Sequence, residues 1–301
     1  MAQFNKFSEA LGPKANMSNS QVYFGGGVTP EKVNEILDVL GFEKGDLPFR
    51  YLRVSLSTKR LTIQQCKPLV EKITARITNW MARELSYAGR LQLIRAVLFG
   101  VQAYWSQLFL LPQKVINLIE AACRSYLWSG EAVITKRALV AWERVCLPKG
   151  AGGMNVIQLK TWNQAALCKL LWALSQSKQK LWIAWIHTYY IKTQLLENME
   201  SPKQASWMVR KIFNMRKYWS QQDIRNQVVQ KGKFKITKAY RNLRGTVCQV
   251  PWKNLTCYNV AEPKHVFILW VALHSKLGTK DRLIQWGLTM DEKCVFTPGG
   301  A

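Results

Sequence analysis

The chain is short of acid and of histidine, with 18 Asp+Glu and three His in 301 residues. This weighs against a two-metal polymerase or nuclease centre, which needs several carboxylates clustered on strand ends or turns. His187, His265 and His274 stand apart from any serine or cysteine nucleophile motif. No G-x-x-x-x-G-K-[ST] loop occurs, and Gly25-Gly26-Gly27 is too short for a phosphate cradle and reads as a turn. The seven cysteines are odd in number and widely spaced, with no C-x-x-C pair. The N-terminal MAQFNKFSEA lacks the apolar run of a secretory signal. Together these fit a reduced, intracellular setting without a disulfide framework. A long uninterrupted apolar run is missing too. The stretch LSYAGRLQLIRAVLFGVQAYW (85–105) is broken by Arg90, Gln92, Arg95 and Gln102. Its Ile94, Val97, Leu98, Val101, Tyr104 and Trp105 recur at helical spacing, so it reads as a buried helix with Ser86 as N-cap, not a transmembrane segment.

What the chain has in excess is positive charge: 43 Lys+Arg and a net charge of +25. A polyanion is the expected partner, with nucleic acid first and an anionic membrane surface second. The charge is uneven. Residues 201–301 hold 18 Lys/Arg against five Asp/Glu, and residues 201–244 hold 12 against Asp223 alone. Aromatic residues interleave that basic section, which suits either a nucleic-acid surface or a basic linker. Hydrophobic residues make up 48% of the chain and Trp numbers 13, enough for a real core whose indole N–H groups need partners. Trp162, Trp172, Trp182 and Trp185 read as core, and Arg124, Lys136, Arg137 and Arg144 as a solvated face.

Periodicity places the elements. SQVYF (20–24) reads as a short strand. Pro30 opens a helix with Val33, Ile36, Leu37 and Leu40 on one face, and Gly41 stops it. LPFRYLRVSL (47–56) reads as a strand. Helices follow on Leu69, Ile73, Ile77 and Trp80; on 85–105; on Val115, Leu118, Ala122 and Tyr126 after Pro112; on Leu159, Trp162, Ala166 and Leu170; and over LWIAWIHTYY (181–190). KGAGG (149–153) reads as a flexible loop, HVFILWVALH (265–274) as a buried helix, and EKCVFTPGGA as a frayed end. The expected fold is mainly α. A small α+β region spans 1–60, a helical region 61–200, and a basic segment with a partial helical domain 201–301.

Several segments, taken in order, resemble one family. LPFRYLRVSL is similar to L-P-F-x-Y-L-G-V-P-L, LSYAGRLQLI to L-S-x-x-G-R-x-x-L-I, and SYLWSG (125–130) to F-L-W-x-G after Leu111-Pro112. AWERVCLPKGAGGMNVIQLKTWNQAALCKLLW (141–172) is similar to W-x-x-v-C-x-P-K-x-x-G-G-L-G-I…N-x-A-L-x-x-K-W-x-W. KFKITKAYRNL (233–243) and PKHVFILWVALHSKLGTKDRLIQWG (263–287) resemble a reverse-transcriptase zinc-binding domain. The chain thus resembles the C-terminal part of a plant non-LTR (LINE-type) retrotransposon reverse transcriptase.

The resemblance implies a palm remnant at 1–60 with a primer-grip-like strand at Tyr51 and Leu52, where Arg53 and Ser55 replace the usual Gly and Pro. It implies a thumb-like region at 61–200 and a truncated zinc-binding domain in 201–301. FSEALGPKANMSNS (7–20) corresponds to a segment downstream of the family's Asp-Asp hairpin, so the catalytic carboxylates are expected to be absent and the chain non-catalytic. Cys294 stands at the first position of the family's C-x-x-C, Thr297 at the second. A lone remnant ligand cannot complete a tetrahedral site, so neither metal nor cofactor is expected. Cys248, Cys257, His265 and His274 have spacings that fit no common site. In the family the thumb grips a primer–template duplex. Arg90 and Arg95 are therefore candidate phosphate contacts, and Gly89 beside them suits either a phosphate or close helix packing. The basic section adds Lys231, Lys233, Lys235 and Lys238. The expected activity is sequence-independent binding of RNA or an RNA–DNA duplex. Two alternatives are part of an active RNA-directed DNA polymerase whose Asp pair lies upstream, and a basic interaction or membrane-surface protein.

Overall fold

A computed structural model describes the chain except residues 1, 13–15, 17–19, 25–27, 47–48, 52–53, 57–59, 82–84, 132, 136–137, 177–179, 193, 197–198, 220–226, 258–259, 286, 288 and 290–301. It is mainly helical, with two-stranded sheets only among the described residues. The chain divides into two compact units, 1–60 and 61–301.

The first unit begins with α1 (Ala2–Leu11). Strand β1 (Gln21–Val22) pairs in parallel with β2 (Glu43–Lys44), and α2 (Pro30–Leu40) makes the crossover between them. Pro30 sits in the first turn of α2, where a missing N–H costs nothing. Gly41 ends it at φ 66°, a left-handed cap that donates its N–H to the Leu37 carbonyl. The single strand expected over 47–56 is instead a pair. Strand β3 (Phe49–Tyr51) lies antiparallel to β4 (Val54–Leu56), with Arg50 opposite Ser55. A lone ten-residue strand would leave its backbone groups unpaired; folding on itself supplies the partner. Leu52 and Arg53 lie outside the described residues.

The second unit is built on α3 (Ile63–Met81), α4 (Tyr87–Gly100), α5 (Gln113–Ser129) and α7 (Leu159–Gln176), with the short α6 (Trp142–Val145) between the last two. At the start of α3, Thr62 and Gln65 form a reciprocal capping box, with bonds of 2.9 and 3.3 Å. Cys66, Leu69, Ile73 and Ile77 then bury the inner face. Ser86 caps α4 as its sequence promised, accepting from Gly89 N–H at 3.4 Å. Gly89 itself is not forced by packing, since a Cβ there would meet only Leu85 and the Ser86 hydroxyl at ordinary distances.

Helix α4 continues as a π-helical turn, Val101–Trp105, and ends at Leu108. The wider turn rotates the face, so Val101 stays buried while Tyr104, expected inside, is exposed. In α5 the buried positions include Val115, Ile116, Ile119, Ala122, Cys123, Tyr126 and Leu127; Leu118, expected inside, points outward. Trp270 bonds its indole N–H to a carbonyl, whereas those of Trp128, Trp142 and Trp162 are buried without a hydrogen-bond partner, against expectation.

Asn163, on α7, organises the junction between α4 and α5. It is 1% exposed. Its amide donates to the carbonyls of Ser106 and Phe109, both at 2.8 Å, and its Oδ1 accepts the Leu111 N–H at 2.8 Å. One side chain therefore satisfies three backbone groups where the chain leaves one helix and turns into the next.

Helix α8 (Leu181–Ile186) runs on as a π-helical segment, His187–Ile191. Then come α9 (Trp207–Asn214), α10 (Arg216–Trp219), the hairpin β5 (Val229–Gln230) and β6 (Lys233–Phe234), α11 (Ile236–Arg244), α12 (Lys253–Cys257), α13 (Pro263–Leu273) and α14 (Lys280–Gln285). Packing runs across residue 200: α11 lies along α7, and α13 along α4.

The KGAGG stretch is locked, not flexible. Lys149–Ala151 form a 3-10 turn, and the buried Gly152 carbonyl accepts from Trp270 Nε1 and His274 Nε2, both at 2.8 Å. A carbonyl cannot donate, so the His274 proton sits on Nε2. A Cβ at Gly153 would stand 2.1 Å from the Leu147 carbonyl oxygen. The glycine is therefore required by close backbone approach.

Candidate nucleic-acid interface

The hairpin at 229–234 is where the lysines gather. Lys231 and Gly232 turn it with φ of 48° and 67°, the two left-handed positions of a tight two-residue loop. Val229 pairs with Phe234, and Gln230 with Lys233. Val228 is buried and Phe234 packs near Trp172, ring centroids 6.0 Å apart, so alternation turns Lys233 outward, while Lys231 is exposed in the turn. The Lys235 N–H donates to the Val228 carbonyl at 3.0 Å and places that residue at the N-cap of α11.

The first turn of α11 holds no acid. Its dipole therefore adds to the lysine charge instead of cancelling it. Lys231, Lys233 and Lys235 line one open concavity of about 790 Å³ together with Gln230. Lys238, one turn on, is half-buried. No carboxylate among the described residues lies within ion-pair distance of these lysines; the described ion pair is Lys67 with Glu71, at 3.4 Å on the surface of α3.

Arg90 and Arg95 are placed differently, each holding the fold. Arg90 Nη1 donates to the Leu127 carbonyl in the last turn of α5 at 3.4 Å, and its guanidinium lies 5.4 Å from the Tyr87 ring centroid. It occupies the space beside Gly130, where a Cβ would come 2.8 Å from Nη2. It also lines a concavity of about 370 Å³ with Lys264, Tyr87 and Phe267. Arg95 donates to the Met154 carbonyl and, at 3.5 Å, to Gln92 Oε1. Burial lowers its pKa from the ordinary arginine value. It lines a smaller pocket of about 180 Å³ with Lys149 and Thr256. These two pockets share Ala88 and Phe267; neither shares a lining residue with the lysine concavity. The arginines and the lysines are thus separate features, not one groove.

Other arginines behave as Arg90 does. Arg244 donates to the Cys146 carbonyl and the Tyr240 hydroxyl, Arg216 to the Phe213 and Leu196 carbonyls. With few carboxylates available, guanidinium groups bond to backbone oxygens. Of Tyr51 the structure describes the backbone, paired with Val54, and Leu52 lies outside the described residues. So do Lys136 and Arg137, while Arg144 is exposed as expected and Arg124 is half-buried.

The tryptophans contain a correction. Trp162 is buried, but Trp182 and Trp185, expected in the core, are 36% and 45% exposed. On α8 the inward positions are taken by Ile183 and Ile186, which leaves these rings on the outer face.

The cysteine and histidine side chains do not assemble a metal centre among the described residues. Cys248 is exposed, Cys257 is half-buried, and His265 is exposed at the start of α13. His274 is committed to the Gly152 carbonyl and flanked edge-on by Trp252 and Trp270. Cys294 lies outside the described residues. Zinc requires four convergent ligands, and the described residues do not fit it.

Comparison with known proteins agrees with the placement of this region. Residues 234–298 match the family described as zinc-binding in reverse transcriptase. Over 149 residues the chain is 32% identical to the Arabidopsis thaliana protein named "Putative ribonuclease H protein". That alignment covers 50% of this chain and 24% of the plant protein, so the chain matches about a quarter of its relative's length.

Proposed function

We propose that this chain is a C-terminal segment of a plant LINE-type retrotransposon reverse transcriptase, and that it binds RNA or an RNA–DNA duplex through the phosphate backbone without carrying out synthesis itself. The observation that carries the binding is the hairpin of Lys231 and Lys233, with Lys235 beside it, lining one concavity at the N-terminus of α11 and at the leading edge of the stretch, 234–298, that matches the reverse-transcriptase zinc-binding family. Ammonium groups with no carboxylate partner among the described residues, next to a helix N-terminus, favour phosphate oxygens. Such contacts position a nucleic acid but read no sequence. The sequence holds no Asp-Asp pair to carry catalytic metals, which supports a binding role over a polymerase one.

The test is anisotropy of a labelled RNA–DNA duplex across a salt series. Each phosphate contact contributes about −0.9 to the log–log salt slope on B-DNA and about −0.7 on a single strand. Replacing Lys231, Lys233, Lys235 and Lys238 together with alanine is expected to flatten the slope by roughly 2 to 3 and to weaken all sequences alike. An unchanged slope would remove the hairpin from the interface. Primer extension by the purified chain would refute the non-catalytic part.

A further inference from the structure

The outer face of α8 is aromatic where a surface helix is ordinarily polar. Leu181 is 87% exposed, Trp182 36%, Trp185 45% and Tyr189 63%. The Trp185 ring lies 5.4 Å from those of Tyr189 and Tyr190, tilted by 43° and 82°. The π-helical turn makes this arrangement. It inserts a residue after Ile186, so that Ile191 returns to the inner face at 2% exposure while Tyr189 stays in line with Trp185. His187 fixes the turn by donating Nε2–H to the Leu174 carbonyl at 2.9 Å.

The stretch of chain that carries the strip holds no acid. No Asp or Glu occurs between Glu143 and Glu197, and exposed Lys180 and Lys192 bracket the strip. An apolar protein partner would not need that charge, and a duplex hides the faces of its bases. An unpaired strand offers both a polyanionic backbone and exposed aromatic faces, the two properties that match this surface. Spacing agrees. Along the α-helical axis Trp182 and Trp185 are about 4.5 Å apart, and the ring centroids of Trp185 and Tyr189 are separated by 5.4 Å. Both exceed the step of about 3.4 Å between stacked bases. The strip is therefore dimensioned for bases that have come apart, not for a stacked run.

We propose that Trp182, Trp185 and Tyr189 form a stacking platform for single-stranded RNA or DNA, with Lys180 and Lys192 on its phosphates. The inference rests on the nucleic-acid reading above but names a second site with a different chemistry. The strip and the lysine hairpin are carried on the same hydrophobic cluster, which contains Ile183, Ile186 and Ile191 and has Val229 and Phe234 packed against it.

The experiment uses the full chain and labelled oligo(dT) of about 15 nucleotides, read by anisotropy and by tryptophan quenching. The comparison probes are an RNA–DNA duplex and vesicles containing phosphatidylserine. Trp185→Ala is expected to lose tenfold or more in affinity for oligo(dT) with its salt slope unchanged. Trp185→Phe should restore most of that loss, and duplex binding should not move. Tyr189→Ala, a second exposed position, guards against a folding defect and should act in the same direction. The platform is overturned if Trp185→Ala and Tyr189→Ala both bind oligo(dT) as the parent does, or if they lose vesicle binding instead. Failure of the hairpin reading looks different: there the four-lysine variant keeps the parental salt slope. If the parent binds neither oligo(dT) nor duplex, both proposals fall.

Discussion

Replacement of Asn163 should be among the most damaging changes available to this fold. Asn163→Ala removes three hydrogen bonds at once and leaves the Leu111 N–H and the Ser106 and Phe109 carbonyls without their side-chain partner in a buried junction. A buried polar group left unsatisfied costs about 1–3 kcal/mol. Carbonyls tolerate the loss better than an N–H, so the expected sum is roughly 3–5 kcal/mol. A domain is typically stable by about 5–15 kcal/mol, so this is a large fraction. Asn163→Leu fills the space but restores no bond and should be nearly as harmful, which separates hydrogen bonding from cavity formation.

Asn163→Asp adds a sharper test. It keeps an acceptor for Leu111 but turns a second carboxylate oxygen toward two carbonyls. Its folded-state pKa must then rise above the unfolded value, because protonation restores a donor. The penalty is present above the raised folded value and fades as pH falls toward the unfolded value. Urea unfolding followed by tryptophan fluorescence at about pH 5 and pH 8 measures this. A loss below about 1 kcal/mol for Asn163→Ala, or no pH dependence specific to Asn163→Asp, would refute the assignment.

Three further outcomes follow from particular contacts. Gly153→Ala should destabilise by roughly 1–3 kcal/mol or more, since its methyl would overlap the Leu147 carbonyl, whereas Gly150→Ala, with open space around it, should be neutral or stabilise by about 0.4–1 kcal/mol; urea midpoints compare them. Burial raises the pKa of Glu120 above the usual carboxylate range, against the lowering effects of the Leu159 backbone N–H and nearby Arg124 and Lys160. Its charge therefore costs stability above the raised folded pKa and nothing below the unfolded one, so Glu120→Gln should raise the melting temperature at neutral pH and not in acid. Burial pushes the Cys123 and Cys168 thiols up to about 12 and raises Cys66 and Cys146 as well, so among the described cysteines a brief alkylation at pH 8 followed by peptide mapping should modify Cys248 and Cys257 alone.

Helices were legible because their signals are local. Ser86, the Pro30–Gly41 pair and the apolar spacing of HVFILWVALH each act within a few residues, and each stands where the sequence placed it. The misreadings arose where distant parts decide. KGAGG looks mobile in isolation, yet Gly152 is fixed by residues 118 and 122 positions later. Tyr104 lies on the apolar face of a regular helix and leaves it because a π-turn intervenes. Trp182 and Trp185 lie next to Ile183 and Ile186 in a run that is apolar almost throughout, so no period shows which set faces inward. The lysine cluster was legible from composition alone. The structural duties of Arg90 and Arg95 were not, because their acceptors are backbone carbonyls of other helices.

Those carbonyl-bound arginines set how the molecule answers to ionic strength. Arg90, Arg216 and Arg244 join segments through uncharged acceptors, and the described ion pair is an exposed one on α3. Screening therefore removes little that holds the described fold, while it relieves the mutual repulsion of a chain carrying +25. Added salt should tighten the folded state and, over the same range, release a polyanion bound at its surface. One solution variable thus drives the empty chain toward greater stability and the loaded chain toward dissociation.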